Sequence, residues 1–510
     1  MTKALLAAAF LLAGLPSWAA QAADEGGRIR LTVFHTNDIH GWILSRPDSK
    51  TKKPVGGMAT AAQLVKDFRA TGQPMLLVDD GDFFQGTPEG SIPRGKSMVE
   101  LFNAMGYDAV TLGNHEFDYG LDVVKALTAE IRAPVVDSNI LNAATGLPVD
   151  FVKPYVIKDF GKFKVGIFGI LTSRMGALSF EKNIAGLRFV DEIAAARQAV
   201  AELRRRGADV VILLSHVGWE KPTDPPFTGD QDIAAAVPGI DLIVGGHSHT
   251  PLPVPFREPT NGTLIVQNGG YLTTIGRAVL EIDPARKKVV SAAGELVRLL
   301  PETIGQDEET LKIVRRYEEE VGRQLEVVVS SSSAGLFRSR DSESGMGDWL
   351  TDCTRKWAKT DIAFQNAGGI RADIVPGPVS LRNIFEIMPF DNLLATIYMK
   401  GGSLRRLLDQ AVAKSPGSLQ VSGLSFRYDR EASEGSRATD IAVGGLPLAD
   451  DQVYSVSAPD FVVQGGDEYG AFSEATDKAI TETLIRDLLT WCAKKYSPIV
   501  TPEGGRIVRR

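Results

Sequence analysis

Cysteine and histidine are both scarce in this chain of 510 residues, which has 2 cysteines and 6 histidines. Two cysteines are too few for a scaffold built from disulfides. Cys353 and Cys492 lie in segments with helical patterns. They either form one bridge or stay as two buried thiols, because spacing along the sequence does not fix their distance in space.

Long apolar runs and basic blocks are also missing beyond the N-terminus. No later segment approaches the roughly 20 apolar residues that cross a bilayer. The formal net charge is −7, and affinity for long nucleic acid depends on neutralising many phosphates. We therefore expect a small-molecule ligand and no long nucleic acid.

The content of 44% hydrophobic and 23% charged residues is typical of a globular protein, and the length predicts two domains.

The N-terminus has the pattern of a secretory signal. Lys3 is followed by an apolar stretch that ends at Leu15, and small residues surround Ala22. This pattern predicts cleavage after about Ala22, with residues 1–22 removed. The alternative, an anchor or buried helix, is disfavoured because the apolar run is short. We expect a periplasmic or secreted chain without a membrane anchor.

The remaining sequence predicts two α/β units. Up to residue 305, short β-rich runs alternate with helical stretches, as in a layered α/β domain. The predicted strands include Leu31–Thr36, Met75–Val78, Ala109–Leu112, Lys164–Leu171, Val210–Ser215, Leu242–Val244 and Leu264–Gln267. Residues 306–325 predict either an exposed linker helix or the last helix of the first domain. Residues 326–510 predict a second domain, with helices such as Gly347–Lys359, Ser403–Ala413 and Glu482–Lys495.

All six histidines lie in the first half, at or just beyond the ends of predicted strands. They occur in five clusters: FHTNDIHG (34–41), DDGDFFQG (79–86), LGNHEFD (112–118), LLSHVG (213–218) and VGGHSHT (244–250). If these strands belong to one parallel sheet, their carboxyl ends meet at one edge. A single histidine at a strand end is usually structural, but five such clusters favour a shared site. Imidazole and carboxylate suit divalent metals, and seven ligands are too many for one ion. The pattern therefore predicts two ions that share a carboxylate.

The order D-x-H, G-D, G-N-H-E, H and G-H-x-H resembles that of calcineurin-like metallophosphoesterases, and more specifically the 5′-nucleotidase family. The resemblance covers essentially the whole mature chain. It implies a β-sandwich flanked by helices and joined by the linker helix to a substrate-binding α/β domain. It assigns Asp38, His40 and His249 to one ion, Asn114, His216 and His247 to the other, Asp82 as the bridge, and His115 with Asp118 as the catalytic pair. The ions are Mn, Zn, Co or Fe, which the ligands do not distinguish. His35 has no ligand role in this scheme, and we interpret it as a packing or supporting residue.

Motifs in the second half resemble the substrate-binding elements of the same family. They are the segment from Arg340 to Gly347, NAGGIR (366–371), MPFDN (388–392) and DFVVQGGDEY (460–469). The resemblance implies phosphate or carboxylate binding by Arg340 and Arg371, a base sandwiched by Phe390 and Phe461, the base edge at Asn366 and the ribose at Asp467. Without it, Phe390 is better interpreted as a core aromatic, and the glycine-rich segments can be ordinary turns. Two positions depart from the family pattern: Glu468 and Ala367 each replace a glycine that is usual there.

The resemblance implies hydrolysis of nucleoside 5′-monophosphates to nucleoside and phosphate, with UDP-sugars or cyclic nucleotides as further substrates. A thiosulfohydrolase of sulfur oxidation is the first alternative. Phe390, Phe461 and Asp467 argue against it, because a sulfonate needs no base sandwich. A non-catalytic nucleotide receptor is the second alternative, and His115 together with seven metal ligands argues against that.

Overall fold

The computed structural model describes residues 27–48, 50–219 and 228–510. The predicted signal segment, residues 1–22, lies outside these ranges. Within them, no helix is long and apolar enough to cross a membrane.

Strands and helices alternate along the first half of the described chain. The strands are β1 (Ile29–Thr36), β2 (Arg46–Pro47), β3 (Pro54–Val55), β4 (Met75–Asp79), β5 (Ala109–Val110), β6 (Ile140–Asn142), β7 (Tyr155–Asp159), β8 (Lys164–Leu171), β9 (Leu187–Phe189), β10 (Val210–His216), β11 (Leu242–Gly245), β12 (Phe256–Arg257), β13 (Leu264–Gln267), β14 (Thr274–Asp283) and β15 (Lys288–Arg298). The helices are α1 (Met58–Arg69), α2 (Pro88–Ser91), α3 (Lys96–Met105), α4 (Leu121–Glu130), α5 (Met175–Leu178), α6 (Glu192–Arg205), α7 (Asp230–Ala236), α8 (Pro301–Ile304) and α9 (Glu308–Leu325).

Two sheets pack face to face in this half. One has the strand order β15-β14-β1-β4-β5, and the other has the order β12-β13-β11-β10-β8-β7. Their facing side chains form one apolar core, which includes Val33 and Val78 from the first sheet and Ile167, Ile212 and Val244 from the second. Strands such as β10 are buried along their whole length, and both of their faces are apolar because both are covered.

Helices cover the outer face of each sheet. The buried residues of α1 recur at helical spacing, for example Ala61, Leu64, Val65 and Phe68, so one face of this helix is apolar. That face packs on the first sheet, where Phe34 lies 5.2 Å from Phe68 between ring centroids. The second sheet is covered by α6 and α7 through a separate apolar cluster. The result is the layered β-sandwich flanked by helices that the sequence predicts.

One sequence expectation is wrong: the histidine-bearing strand ends do not belong to a single sheet. Strands β1, β4 and β5 lie in the first sheet, whereas β10 and β11 lie in the second. Within each sheet these strands run parallel. The packing of the two sheets brings both sets of carboxyl ends to the same end of the sandwich.

The long helix α9 contacts both halves of the chain. Its N-cap residue Asp307 accepts a hydrogen bond from the backbone N–H of Thr310 at 2.9 Å. Val314 and Tyr317 bury one face of the helix against the first-half core, and other residues approach α11 (Leu381–Ile387) of the second half. The boundaries at residues 306 and 325 stay a prediction.

The second half contains a mixed five-stranded sheet and a smaller four-stranded sheet. Its strands are β16 (Val328–Ser332), β17 (Ile362–Asn366), β18 (Gly377–Ser380), β19 (Leu393–Lys400), β20 (Leu419–Ser422), β21 (Leu424–Tyr428), β22 (Ala438–Val443), β23 (Leu446–Pro447), β24 (Val453–Pro459), β25 (Thr476–Leu484) and β26 (Ile507–Arg509). The larger sheet has the order β20-β17-β24-β19-β25. Besides α11, the helices of the second half are α10 (Gly345–Ala358), α12 (Gly401–Lys414), α13 (Asp460–Val463) and α14 (Ile485–Lys495).

The sequence places the start of α14 too early. Residues 482–484 belong to β25, which pairs with β19 and includes the β-branched Thr481 and Thr483. Such residues favour strands. The helix begins only at Ile485.

Cys353 and Cys492 form a disulfide that joins α10 to α14, with their Cα atoms 5.8 Å apart. This decides between the two possibilities that the sequence leaves open. The two residues are 139 positions apart in the sequence, so the bond closes a large loop of the second half.

Replacing both cysteines by alanine should lower the free energy of unfolding by about 2–5 kcal/mol, because the open chain regains loop entropy when it unfolds. Denaturant unfolding followed by tryptophan fluorescence measures this. Unchanged unfolding in the double variant, relative to the oxidised wild type, would contradict the structural role.

Candidate metal centre and substrate cavity

The seven predicted metal ligands come together at the shared end of the two sheets. Each follows or ends a strand of the sandwich. Asp38 and His40 follow β1, Asp82 follows β4, Asn114 follows β5, His216 ends β10, and His247 and His249 follow β11.

Five of these seven residues have a left-handed backbone. The φ angles are 50° for Asp38, 50° for His40, 53° for Asp82, 66° for His247 and 53° for His249. Non-glycine residues adopt such angles at a cost, and the strained positions tend to cluster at functional sites. The tight loops after the strands turn the side chains toward one another.

The ligand atoms fall into two groups. Asp38, His40 and His249 form one, and Asp82, His216 and His247 form the other; within each group the atoms lie within 4.8 Å of one another. Asn114 joins the second group, because its Oδ1 lies 2.9 Å from His247 Nδ1.

Asp82 lies between the two groups. Its Oδ2 is 3.2 Å from His216 Nε2 and 3.8 Å from His40 Nε2. Its Oδ1 accepts a hydrogen bond from the backbone N–H of His115 at 2.8 Å. Gly113 is required beside it, since a Cβ there would overlap Asp82 Oδ1. Asp82 therefore lies next to side chains of both groups.

Backbone carbonyls orient two of the histidines. His40 Nδ1 lies 2.6 Å from the carbonyl oxygen of Gln85, and His216 Nδ1 lies 2.6 Å from that of Asp80. In each ring Nδ1–H is therefore the donor, which leaves Nε2 to face the centre. Gln85 and Asp80 cannot be identified from the sequence as supporting residues, because they act through their backbone oxygens.

The donor set fits divalent cations. His216 Nε2 is fully buried and lies 3.2 Å from the Asp82 carboxylate. His40 Nε2 and His249 Nε2 face each other at 3.0 Å. Burial and the nearby Arg371 guanidinium hold the pKa of His40 well below its usual range, so its imidazole is neutral and able to bind a metal. Lone pairs and carboxylates held this closely repel one another unless a cation lies between them.

Glu116 supports the loops that carry the ligands. Its carboxylate accepts backbone N–H groups from Asp82 at 2.8 Å, Phe83 at 2.9 Å and Gly113 at 2.6 Å. Burial and the Asp82 carboxylate raise the pKa of Glu116 to about 7. The G-N-H-E motif contains this residue, but the motif alone did not show what it binds.

His115 and Asp118 form a hydrogen-bonded pair beside Asp82. Asp118 Oδ2 lies 2.8 Å from His115 Nδ1. Burial opposes a positive charge on the imidazole, but the carboxylates of Asp118 and Asp82 outweigh it and raise the pKa of His115. His115 Nε2 is thus the ring nitrogen available to a ligand, and the His115 ring lies 5.4 Å from that of Phe390.

One cavity of about 760 Å³ connects this centre to the second half of the chain. Its walls include Asp82, Asn114 and His115 of the metal site. All six predicted substrate-binding residues line it as well: Arg340, Asn366, Arg371, Phe390, Phe461 and Asp467.

Two arginines concentrate positive charge in the cavity. Burial and the neighbouring charge of Arg371 lower the pKa of Arg340. The Nη2 of Arg371 donates to His40 Nε2 at 3.0 Å, so this guanidinium reaches from the second half to the metal ligands. Two guanidinium groups that line the same cavity favour an anionic ligand there.

Polar contacts hold the two polar residues that are predicted to bind the nucleoside, Asn366 and Asp467. Asn366 Nδ2 donates to Asp467 Oδ2 at 2.6 Å, and Gln365 Nε2 donates to Asn366 Oδ1 at 2.9 Å. Asp467 has a φ of 55°.

Glu468, the residue at a usual glycine position, does not simply point to solvent. It forms an ion pair with Arg174 at 2.5 Å and approaches Lys414 at 3.4 Å.

His35 is a packing residue: it is buried against Gly276, and burial lowers its pKa to about 3.

Comparison with known proteins agrees with this arrangement. A model of the calcineurin-like phosphoesterase family matches residues 31–251, and a model of the 5′-nucleotidase C-terminal domain matches residues 324–474. A 5′-nucleotidase of Vibrio cholerae serotype O1 is 27% identical over an alignment of 558 residues, gaps included. The alignment covers 100% of this chain and 99% of that protein. The chain belongs to the 5′-nucleotidase family.

Solved structures show the same architecture. A 5′-nucleotidase precursor from Thermus thermophilus has a TM-score of 0.87 and 28% identity, and the match covers 94% of this chain and 99% of that one. The sulfate thiohydrolase SoxB of Thermus thermophilus has a TM-score of 0.81 at 19% identity, with 96% and 98% covered. The second likeness concerns the fold alone. As a family member, the chain is a phosphoric ester hydrolase with a dinuclear metal site.

Asp82→Asn should reduce the metal content from two ions per chain to one or fewer, because Asp82 lies next to both ligand groups. His249→Gln is the matched variant and should keep both ions, since the glutamine amide oxygen also binds metal. Elemental analysis by mass spectrometry after dialysis measures both. Two ions retained in Asp82→Asn would rule out the bridging role.

Proposed function

We propose that the chain hydrolyses nucleoside 5′-monophosphates to nucleoside and inorganic phosphate. The observation that carries this proposal is the shared cavity, which is lined by Asp82, Asn114 and His115 of the candidate metal site and also by Phe390 and Phe461. A phosphate at the metal site therefore has a base-binding region within reach in the same space.

Following the family resemblance, Asp38, His40 and His249 would hold one ion and Asn114, His216 and His247 the other, with Asp82 shared between the two. When bound, two divalent ions supply a nucleophilic water at neutral pH and stabilise the charge on the phosphoryl group. Arg340 and Arg371 bind the remaining phosphate oxygens, because guanidinium groups pair with phosphate in bidentate fashion.

His115 is assigned the proton transfer to the leaving oxygen. Asp118 fixes its tautomer through the 2.8 Å contact to Nδ1 and leaves Nε2 for the substrate. The raised pKa of His115 favours the protonated form that a general acid needs. Burial raises the pKa of Asp118 itself, and its carboxylate accepts the His115 Nδ1–H at 2.8 Å.

The nucleoside is assigned to the second half. Phe390 and Phe461 stack on the base, which any purine or pyrimidine allows. The Asn366 amide binds the base edge, and the Asp467 carboxylate binds ribose hydroxyls. The short contact between Asn366 and Asp467 holds both groups in place before a nucleoside arrives.

Two alternative functions, a thiosulfohydrolase and a non-catalytic nucleotide receptor, are less well supported. A thiosulfohydrolase shares the fold, but its small substrate would leave the region around Phe390 and Phe461 unused. A receptor without catalysis would not need the His115–Asp118 pair. UDP-sugars and cyclic nucleotides are further candidate substrates, and the ions are Mn, Zn, Co or Fe.

We also propose that the mature chain acts in the periplasm or outside the cell, after cleavage near Ala22.

The mature chain, supplied with manganese or zinc, should release phosphate from AMP, and chelation should abolish the release. His115→Ala should lower kcat by about 10²- to 10⁴-fold, the usual range for loss of a general acid. Phosphate release and metal content are measured together, so that lost chemistry is separated from lost metal.

Parallel assays with UDP-glucose and a thiosulfate-type substrate test the alternatives. Failure to hydrolyse any nucleotide with both ions bound would overturn the proposed function. Turnover of only the sulfur substrate would establish the thiosulfohydrolase instead.

A further inference from the structure

Residues 174–183 form a segment of the first half that lines the substrate cavity; we call it the lip. It lies between β8 and β9 and contributes Arg174, Ser179, Phe180 and Lys182 to the cavity wall. Met175 is fully buried in the core of the first half, so the segment is anchored there. Helix α5, within the lip, packs against residues 466–468 of the second half.

The lip contacts one of the two proposed base-stacking rings directly. The rings of Phe180 and Phe461 meet edge to face, with centroids 5.9 Å apart and planes at 85°. From another side, Gly466 approaches Phe461 so closely that a Cβ would lie 2.5 Å from its ring carbons. Phe461 is therefore fixed partly by its own half and partly by the lip.

The lip also offers an unused polar group. Ser179 lines the cavity, and only 7% of its surface is exposed. Its hydroxyl has no hydrogen-bond partner among the described residues. A buried hydroxyl in this condition is uncommon in proteins, and a ligand in the cavity would satisfy it.

Polar contacts tie both ends of the lip to functional parts of the site. At one end, Arg174 forms a bidentate ion pair with Glu468, with Nε 3.2 Å from Oε1 and Nη2 2.5 Å from Oε2. At the other end, Asn183 Nδ2 donates to the backbone oxygen of Asp118 at 2.8 Å. The lip thus connects the loop that carries Asp467 with the catalytic pair.

We propose that the lip is a third wall of the nucleoside subsite, so that recognition of the base requires both halves of the chain. Phe180 is a positioning residue that holds the ring of Phe461 against the base. Ser179 hydrogen-bonds to the nucleoside. This inference rests on the proposed function.

The test compares AMP with ribose 5-phosphate, which keeps the ester and the sugar but lacks the base. In Phe180→Leu, kcat/KM for AMP should fall about tenfold, mainly through KM, because an aromatic edge contact is lost. The kcat/KM for ribose 5-phosphate should change less than about twofold, since that substrate makes no stacking contact. Ser179→Ala should raise KM for AMP with kcat retained.

Phe160→Leu is the matched control. Phe160 stacks on Phe163 with centroids 5.0 Å apart, and it lies in the same half without lining the cavity. This variant should leave the ratio of the two kcat/KM values unchanged. An equal loss for both substrates in Phe180→Leu, or no loss for AMP, would overturn the role of the lip.

A direct binding measurement separates this inference from the proposed function. If the wild type hydrolyses neither substrate, the proposed function fails. The Kd of adenosine, measured by calorimetry, still tests the lip: a weaker Kd in Phe180→Leu supports it, and an unchanged Kd refutes it.

Discussion

The face-to-face packing of two sheets is the constraint on which the rest of the molecule depends. Their shared apolar core fixes how strands such as β1 and β10 sit relative to each other, and therefore where the side chains after those strands lie. Asp82 from one sheet and His216 from the other reach within 3.2 Å of each other only because of this packing. Neither sheet alone carries enough ligands for two ions.

Much of this could be predicted from the sequence. Strands such as Val210–His216 are continuous apolar runs that end at a histidine, so both the element and the ligand are visible in the pattern. The division into two sheets could not be predicted, because fully buried strands have the same composition in either sheet. The start of α14 was misplaced since neither its periodicity nor its caps mark a boundary at Ile485.

The supporting residues of the site were the hardest to predict. Gln85 and Asp80 orient imidazoles through backbone oxygens, and any side chain at those positions would do the same. Arg174 and Glu468 are 294 positions apart in the sequence, and no local pattern connects them. Residues whose role depends on their own side-chain chemistry, such as His115 and Asp118, were visible because a short motif contains both of them.

The halves divide the labour of the site: all seven candidate metal ligands precede residue 250, whereas the six predicted substrate-binding residues follow residue 339. On the proposed assignment, the reaction and the choice of substrate depend largely on separate stretches of the chain, with the lip and Arg371 as exceptions. Mutation in the later stretch can drift toward new substrates while the inherited chemistry is preserved. Such modularity favours the evolution of new substrate preferences, because the metal ligands do not have to change when the substrate-binding residues do.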